Sequence, residues 1–203
     1  MKKLILIGSG YHSKIVYDEA VRSKQYKVLG YLSNDIKRKH AIKKLKFYGK
    51  IKELKKIKIK NCFFVLAVGQ GDIREKIFHE VKQLKIKIKW GKIISKDSII
   101  SANTKIGEGS VIVSGSIINV GTRIGKHCLI NTGSSIDHDN FFDDFSGCGP
   151  RVITGGNVKI GKNSYIGLGS IIKNNIIIGK NTLIGASSLV LKNCAKNSVY
   201  FGS

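Results

Sequence analysis

No stretch of this chain stays apolar for anything near the roughly 20 residues a bilayer demands. The start, Met1-Lys2-Lys3 followed by Leu4 to Ile7, is too short and wrongly flanked for a secretory signal. Neither a membrane span nor an export signal is expected, and the expected address is the cytoplasm. Paired cysteines are missing too. Cys62, Cys128, Cys148 and Cys194 stand far apart with no Cys-x-x-Cys spacing, which leaves a disulfide framework or a zinc site without support. They read as buried reduced thiols, and no metal is expected.

Acidic residues are scarce, 13 against 36 Lys and Arg, for a net charge of +23. Such an excess is the usual footprint of a nucleic-acid binder. The lysines of "KRKHAIKKLKFYGKIKELKKIKIK" nevertheless have one adjacent aromatic pair, Phe47-Tyr48, and no aromatics interleaved along the run for base stacking, which favours a lysine-rich solvated surface over a polyanion-binding protein. The excess is uneven: residues 1–92 hold 25 basic against 7 acidic side chains, and residues 93–203 hold 11 against 6. A positive field of this kind also draws small phosphorylated ligands. With 42% hydrophobic and 24% charged residues over 203 positions, the chain is a globular protein of one ordinary domain or two small ones.

What is present is a repeat. From Ile94 an aliphatic residue recurs every six positions, at Ile100, Ile106, Ile112, Ile118, Ile124, Ile130 and Ile136. The same frame resumes at Ile160 and runs to Val190, with Phe142, Cys148 and Thr154 holding it between. Four places after most frame residues stands a small one, such as Ser110, Ser116, Thr122, Cys128 and Ser134, and glycine often follows the frame residue directly. A period of six smears around an α-helix, and so many glycines and asparagines break a flat strand. A three-sided coil fits: each side a short strand with its aliphatic inward, each corner a small or permissive residue, three hexads to a turn, and turns stacked by parallel pairing. This is the signature of a left-handed parallel β-helix of hexapeptide repeats, expected over residues 93–203.

Residues 1–92 read differently. "KKLILIGSGYHSKIVYDEA" predicts a buried strand, a glycine turn at Gly8 and Gly10, and a helix from about His12. "YKVLGYLS" and "NCFFVLAVG" predict further strands. "IREKIFHEVKQL" predicts a helix with Ile73, Ile77, Val81 and Leu84 on one face, and "IKIKW" a closing strand. Alternating strands and helices make a small α/β Rossmann-like domain. Gly8-Ser9-Gly10, with Ser13 where a third glycine would stand, suits one nucleotide phosphate pair at the helix start; a tight turn with no ligand is the other reading.

One segment departs from the repeat: "SSIDHDNFFDDFSGCGP", Ser134 to Pro150. Because the register is unbroken there, residues 18 apart share a corner. His138 should lie over Gly156, whose missing side chain leaves room for a reacting group, with Asp137 and Asp139 to orient the ring and Phe141 and Phe142 to exclude water. Leu168 and Ala186 should share another corner with Pro150. His127 reads as an ordinary hexad corner, and His40 and His79 as polar helical surface. A cysteine acyl-enzyme is disfavoured, since the coil cysteines fall at inward places.

These residues resemble a known family. The unit with "GSGYHSK", the segment "VGQGDIREKI" and a coil carrying "NTGSSIDHDN" and "GGNVKIG" are together similar to the bacterial sugar acetyltransferases of the NeuD/PglD type, over essentially the whole chain. The resemblance implies a homotrimer, acetyl-coenzyme A in the groove between coils, and a nucleotide-linked amino sugar held by the N-terminal domain. It carries the catalytic histidine onto His138 and its acidic neighbour onto Asp139. Substrate contacts fall on Gly8, Gly10, Tyr11 and His12, and on Ser33 and Asn34 where aspartates are usual, with Asp35 one place later. Coenzyme contacts fall near Gly156, Leu168 and Ala186, and at Gly147, where some members carry a second histidine. The chain also stops at "VYFGS", before the tail usual in the family. The chemistry implied is direct N-acetylation with His138 as general base and backbone N–H groups near Gly156 holding the oxyanion. Alternatives are O-acetylation of a sialic acid and a hexapeptide scaffold without activity.

Overall fold

The computed structural model describes residues 1–35 and 44–202. Four apolar residues in a row, Leu4 to Ile7, have no exposed surface, as expected of a central strand covered on both faces. This strand, β1 (Lys2–Ile7), lies between β2 (Tyr26–Leu32) and β4 (Cys62–Leu66) in a parallel sheet ordered β3-β2-β1-β4-β5, where β3 is Lys46–Phe47 and β5 is Lys89–Trp90. Helix α1 (His12–Arg22) follows β1, and α2 (Gly71–Gln83) follows β4. The chain reverses direction across the sheet between β1 and β4, so the turns after these two strands border one crevice, the place where open α/β sheets take ligands. At the first of them, a methyl group on Gly8 (φ +128°) would stand 2.9 Å from the Ala67 carbonyl oxygen of the second. The turns approach that closely only because position 8 is glycine.

Helix α2 starts two residues before the predicted Ile73. Its first turn buries Arg74, 2% exposed, while Ile73 is half-buried. The predicted closing strand shrinks to Lys89–Trp90. His79 is on the polar surface of α2, and His40 lies outside the described residues.

The second part is the expected left-handed β-helix. Two-residue strands recur every six positions from Ile93–Ile94 to Leu189–Val190, and each as far as Ile171–Ile172 pairs in parallel with the strand 18 residues on. Among the described residues they form three sheets. Face I has seven strands beginning with Ile93–Ile94, face II six beginning with Ile99–Ile100, and face III five beginning with Lys105–Ile106. Frame residues fill the interior, including Phe142, Cys148 and Thr154. Past Val190 the frame shortens: Leu183 pairs Val199 and Ile184 pairs Tyr200.

The corners differ from expectation in one respect. The residue with left-handed backbone is the third after the frame residue, as at Asn103, Gly115, Gly133, Asp139, Asn157 and Asn175. The small residue comes next and points inward, not around the bend. Its hydroxyl bonds the neighbouring coil: Ser116 Oγ donates to the Asn131 carbonyl, Ser134 Oγ to Gly149, and Ser170 Oγ to Gly185. In several coils the same hydroxyl also accepts an amide N–H 18 residues on, as Ser110 does from Cys128 and Ser164 from Thr182. Ser and Thr recur there because they satisfy backbone groups the two-residue strands leave unpaired.

The α/β unit sits on face I. Leu4, Leu6, Val16 and Ala20 pack with Ile93, Val111, Val113 and Leu129 in one apolar cluster. Helix α1 ties to one corner through Arg22 with Asp97 and Glu19 with Ser114. Helix α2 ties to the other, where Arg74 donates to the carbonyls of His127, Phe145 and Ser146, and also to Val68 and Gly69 of its own unit. His127 is therefore no ordinary corner. It is fully buried, stacked on Phe145 at 5.2 Å and edge-on to Trp90 at 4.7 Å. Burial, then the Arg74 charge, pushes its pKa down to about 3.

Candidate active site

His138 stands on the corner between faces II and III, with its side chain 55% exposed. Its Nδ1 lies 2.9 Å from Asp139 Oδ2, and Nε2 has no protein partner among the described residues. Asp139 adopts φ +57°, a conformation aspartate tolerates better than most residues, and its carboxylate packs over Gly121. Asp137 turns inward to the chain, where its Oδ1 accepts the His138 backbone N–H at 2.8 Å and the Asn119 amide at 3.1 Å. The Asp139 hydrogen bond, then the Asp137 charge, raises the His138 pKa above its ordinary value. The arrangement is a half-exposed imidazole with Nδ1 held by a carboxylate and Nε2 left without a hydrogen-bond partner among the described residues, as a general base requires.

The stacking of His138 over Gly156 is as expected, but the space between them is not open. A methyl group at Gly156 would fall 2.5 Å from ring Cε1, so the imidazole itself occupies the room. The glycine seats the ring, and reactants must approach from the exposed side. Phe142 plays no part here, because as a frame residue it is wholly inside the coil; Phe141, 41% exposed, is the aromatic beside the corner. All four cysteines are buried, and burial pushes Cys128 up to about 12 and Cys148 to about 11, which leaves no thiolate for an acyl-enzyme.

The expected coenzyme positions separate. Gly156 borders one side of face II, and Leu168, 56% exposed, borders the other with Ala186. Between them run the exposed Ile153, Ile171 and Leu189. Gly147 does not join them. It is in a strand of face I, buried against Leu129, because the α/β unit covers that face.

A cavity of about 670 Å³ opens where the α/β unit meets face I. His12 and the turn Gly69 to Asp72 line it from one side; Leu129, Tyr165 and Leu183 line it from the coil. Burial, then Arg74, lowers the His12 pKa to about 4, so the ring is neutral. Of the other expected contacts, Gly8 and Ser33 are buried, and Ser33 shares a 2.9 Å hydrogen bond with Ser9. Tyr11 is 77% exposed next to half-buried Gly10. Asn34 is engaged within the fold, its amide donating to both Glu80 oxygens and its carbonyl accepting from Ile51. Sequence reasoning missed Asn163, Tyr165 and Asn181 in this lining, which look like ordinary repeat positions, and assigned no role to Gln70 to Asp72.

Within one chain the cavity and His138 do not meet. Face I carries the cavity, and His138 is on the corner opposite that face.

Comparison with known proteins bears out the likeness to the NeuD/PglD type. Residues 3–81 match the PglD N-terminal domain family. No curated protein sequence matches significantly. Among solved structures, the acetyltransferase domain of PglB from Neisseria gonorrhoeae FA1090, in complex with acetyl coenzyme A, superposes with a TM-score of 0.89 at 25% identity, over 99% of this chain and 96% of that one. A histidine-to-alanine mutant of GDP-perosamine N-acetyl transferase from Caulobacter crescentus, in complex with CoA and GDP-perosamine, gives 0.90 at 22% identity over 100% and 94%. WeeI from Acinetobacter baumannii AYE gives 0.86 at 20% over 100% and 97%. The last two establish likeness of fold.

Proposed function

We propose that this chain is an acetyl-coenzyme A-dependent N-acetyltransferase acting on a nucleotide-linked amino sugar, such as a 4-amino-4,6-dideoxy sugar, for a bacterial surface glycan. The observation that carries the reading is the His138 imidazole, 55% exposed, bound to Asp139 at 2.9 Å through Nδ1 and with Nε2 free of a hydrogen-bond partner among the described residues. The acetyltransferase domain of PglB, at 25% identity over nearly the whole chain, supports the donor. The GDP-perosamine enzyme, similar in fold, supports the class of acceptor.

Acetyl-coenzyme A supplies the thioester. Face II and its borders suit it, since Leu168, Ile153, Ile171 and Leu189 offer an exposed apolar track for a pantetheine arm beside His138. The basic surface suits both polyanions. Residues 1–92 hold the sugar nucleotide in this reading, and residues 93–203 the coenzyme. His138 Nε2 takes the proton from the sugar amine as its nitrogen bonds the thioester carbonyl carbon. Asp139 stabilises the imidazolium that forms. The C–S bond then breaks, and the proton leaves with the thiol. Backbone N–H groups near Gly156 are the candidate donors to the oxyanion.

The separation of His138 from the cavity calls for a second copy. A homotrimer would set the II–III corner of one subunit against the cavity of the next, covering Phe141 and Ile177 of face III, each over 40% exposed in the single chain. Among the described residues no helix is long and apolar enough to cross a membrane. A cytoplasmic site of action, where acetyl-coenzyme A is available, completes the reading.

The test is thiol release from acetyl-coenzyme A with GDP-, UDP- and dTDP-linked amino sugars and with sialic acids, alongside light scattering for oligomeric state. Amide formation that is lost in His138→Ala supports the proposal. Turnover only on sialic acid hydroxyls, or turnover indifferent to His138→Ala, refutes it.

A further inference from the structure

Asn140 is out of place in the hexad pattern. It occupies the inward position, four after Ile136, that most other hexads give to Ser, Thr or Cys and a few to Val or Ile; it is the one asparagine there. The hydroxyls at this position bond one or two neighbouring carbonyls. Asn140, 1% exposed, has three within reach of one amide nitrogen: Asp137 O at 2.8 Å, His138 O at 3.2 Å and Gly155 O at 2.9 Å. The orientation of the amide is determined by these partners, since a flipped side chain would put its own oxygen against three carbonyl oxygens. The amide has two hydrogens for the three carbonyls, so one is shared between two of them, whereas a serine or threonine has a single hydroxyl hydrogen.

The arrangement is unfavourable locally. Asn140 Oδ1 is buried with no hydrogen-bond partner among the described residues. A hydroxyl, as in Thr122 one coil earlier, avoids that penalty. Where a residue departs from the pattern against local stability, a functional demand is the usual counterweight.

The demand is visible in what the three bonds hold. The His138 N–H is bound by Asp137 Oδ1, and the His138 carbonyl by Asn157 N at 3.0 Å and by Asn140. Asn140 also joins the corner of this coil to Gly155, the residue before the glycine under the imidazole. We propose that Asn140 is a positioning residue for acetyl transfer: by gripping the carbonyls of Asp137, His138 and Gly155 it holds the corner in the one geometry that keeps His138 Nδ1 on Asp139 and seats the ring over Gly156. This rests on the function proposed above.

The test is Asn140→Ser, which installs the residue commonest at that place and retains a hydroxyl for the inter-coil bond. It is compared with wild type and His138→Ala using acetyl-coenzyme A and GDP-perosamine. Asn140→Thr, the residue of the same corner at Thr104 and Thr122, is read the same way and replaces it if the serine variant does not fold. The expected result is a cooperative thermal transition like that of wild type, kcat lower by roughly ten- to a hundred-fold, and KM for both substrates within about two-fold. The His138 ring, followed by NMR titration of the ligand-free protein, should titrate lower than in wild type as its Asp139 contact loosens. Unchanged kcat and an unchanged ring titration would overturn the proposal, as would a loss confined to KM. If wild type acetylates no sugar nucleotide, the function proposed above fails, and the ring titration alone still decides whether Asn140 sets the His138 geometry.

Discussion

The imidazole of His138 rests directly on Gly156, two residues that are 18 apart in sequence and one coil apart in space. Two supports of the proposed base therefore come from the chain itself: the Asp139 carboxylate at Nδ1 and Gly156 against the Nε2–Cε1 edge of the ring.

Replacing Gly156 with Ala tests that seat. The backbone there is not in the left-handed region, so the coil should fold, with a melting temperature within a few degrees of wild type. The new methyl would meet the ring and push it off its position. Acetyl transfer should drop by about a hundred-fold in kcat with little change in KM. Steady-state kinetics beside a melting curve checks both halves.

Asp139→Asn separates charge from shape. Asparagine also tolerates the φ of +57°, so the corner is retained. The base must be unprotonated to act, and Asp139 is the largest cause of its raised pKa. In wild type kcat/KM should fall on the acid side through a pKa above the ordinary value near 6.5. In the variant that limb should move to lower pH while the plateau falls. A pH–rate profile of the two proteins reads the shift.

Arg74 holds five carbonyls with no carboxylate among its hydrogen-bond partners, at 2% exposure. Burial lowers its pKa to about 10, which leaves it charged at neutral pH. Arg74→Met would strip those carbonyls of their donor and should cost about 3 kcal/mol or more of stability. Arg74→Lys should recover little, since one ammonium has three donors and no planar fork. Chemical denaturation of the purified variants measures both.

Acid should weaken the fold through two buried rings. His127 and His12 have pKa values pushed down to about 3 and 4, whereas in the unfolded chain each titrates near 6.5. Below that value the unfolded chain binds more protons than the native one, so stability is complete above about 6.5 and declines as pH falls toward 3. His127→Phe should flatten part of that decline. Phe145, one coil on with φ +61°, already places a phenylalanine in that backbone conformation. Unfolding midpoints between pH 4 and 8 give the comparison.

The hexad frame could be read to within a residue because a two-residue strand and a four-residue corner leave one inward aliphatic per six, whatever surrounds them. His138 could be read because Asp-His-Asp breaks that frame without shifting it, and the 18-residue stacking then names its neighbour. The bond from Nδ1 to Asp139 is local, and so was within reach as well.

What depends on docking was not legible. His127 and Asn163 sit at repeat positions like any others, and only the α/β unit lying on face I turns one into a buried aromatic contact and the other into cavity lining. Gly147 lost its expected contact for the same reason, and Arg74 took the buried place that the helical pattern assigned to Ile73. By itself the sequence determined the coil, its register and the one histidine that interrupts it, since these follow from periodicity along the chain. The tertiary structure alone decided that the cavity and that histidine lie on opposite sides of the prism, because which face the first unit covers is settled by long-range packing that no local pattern encodes.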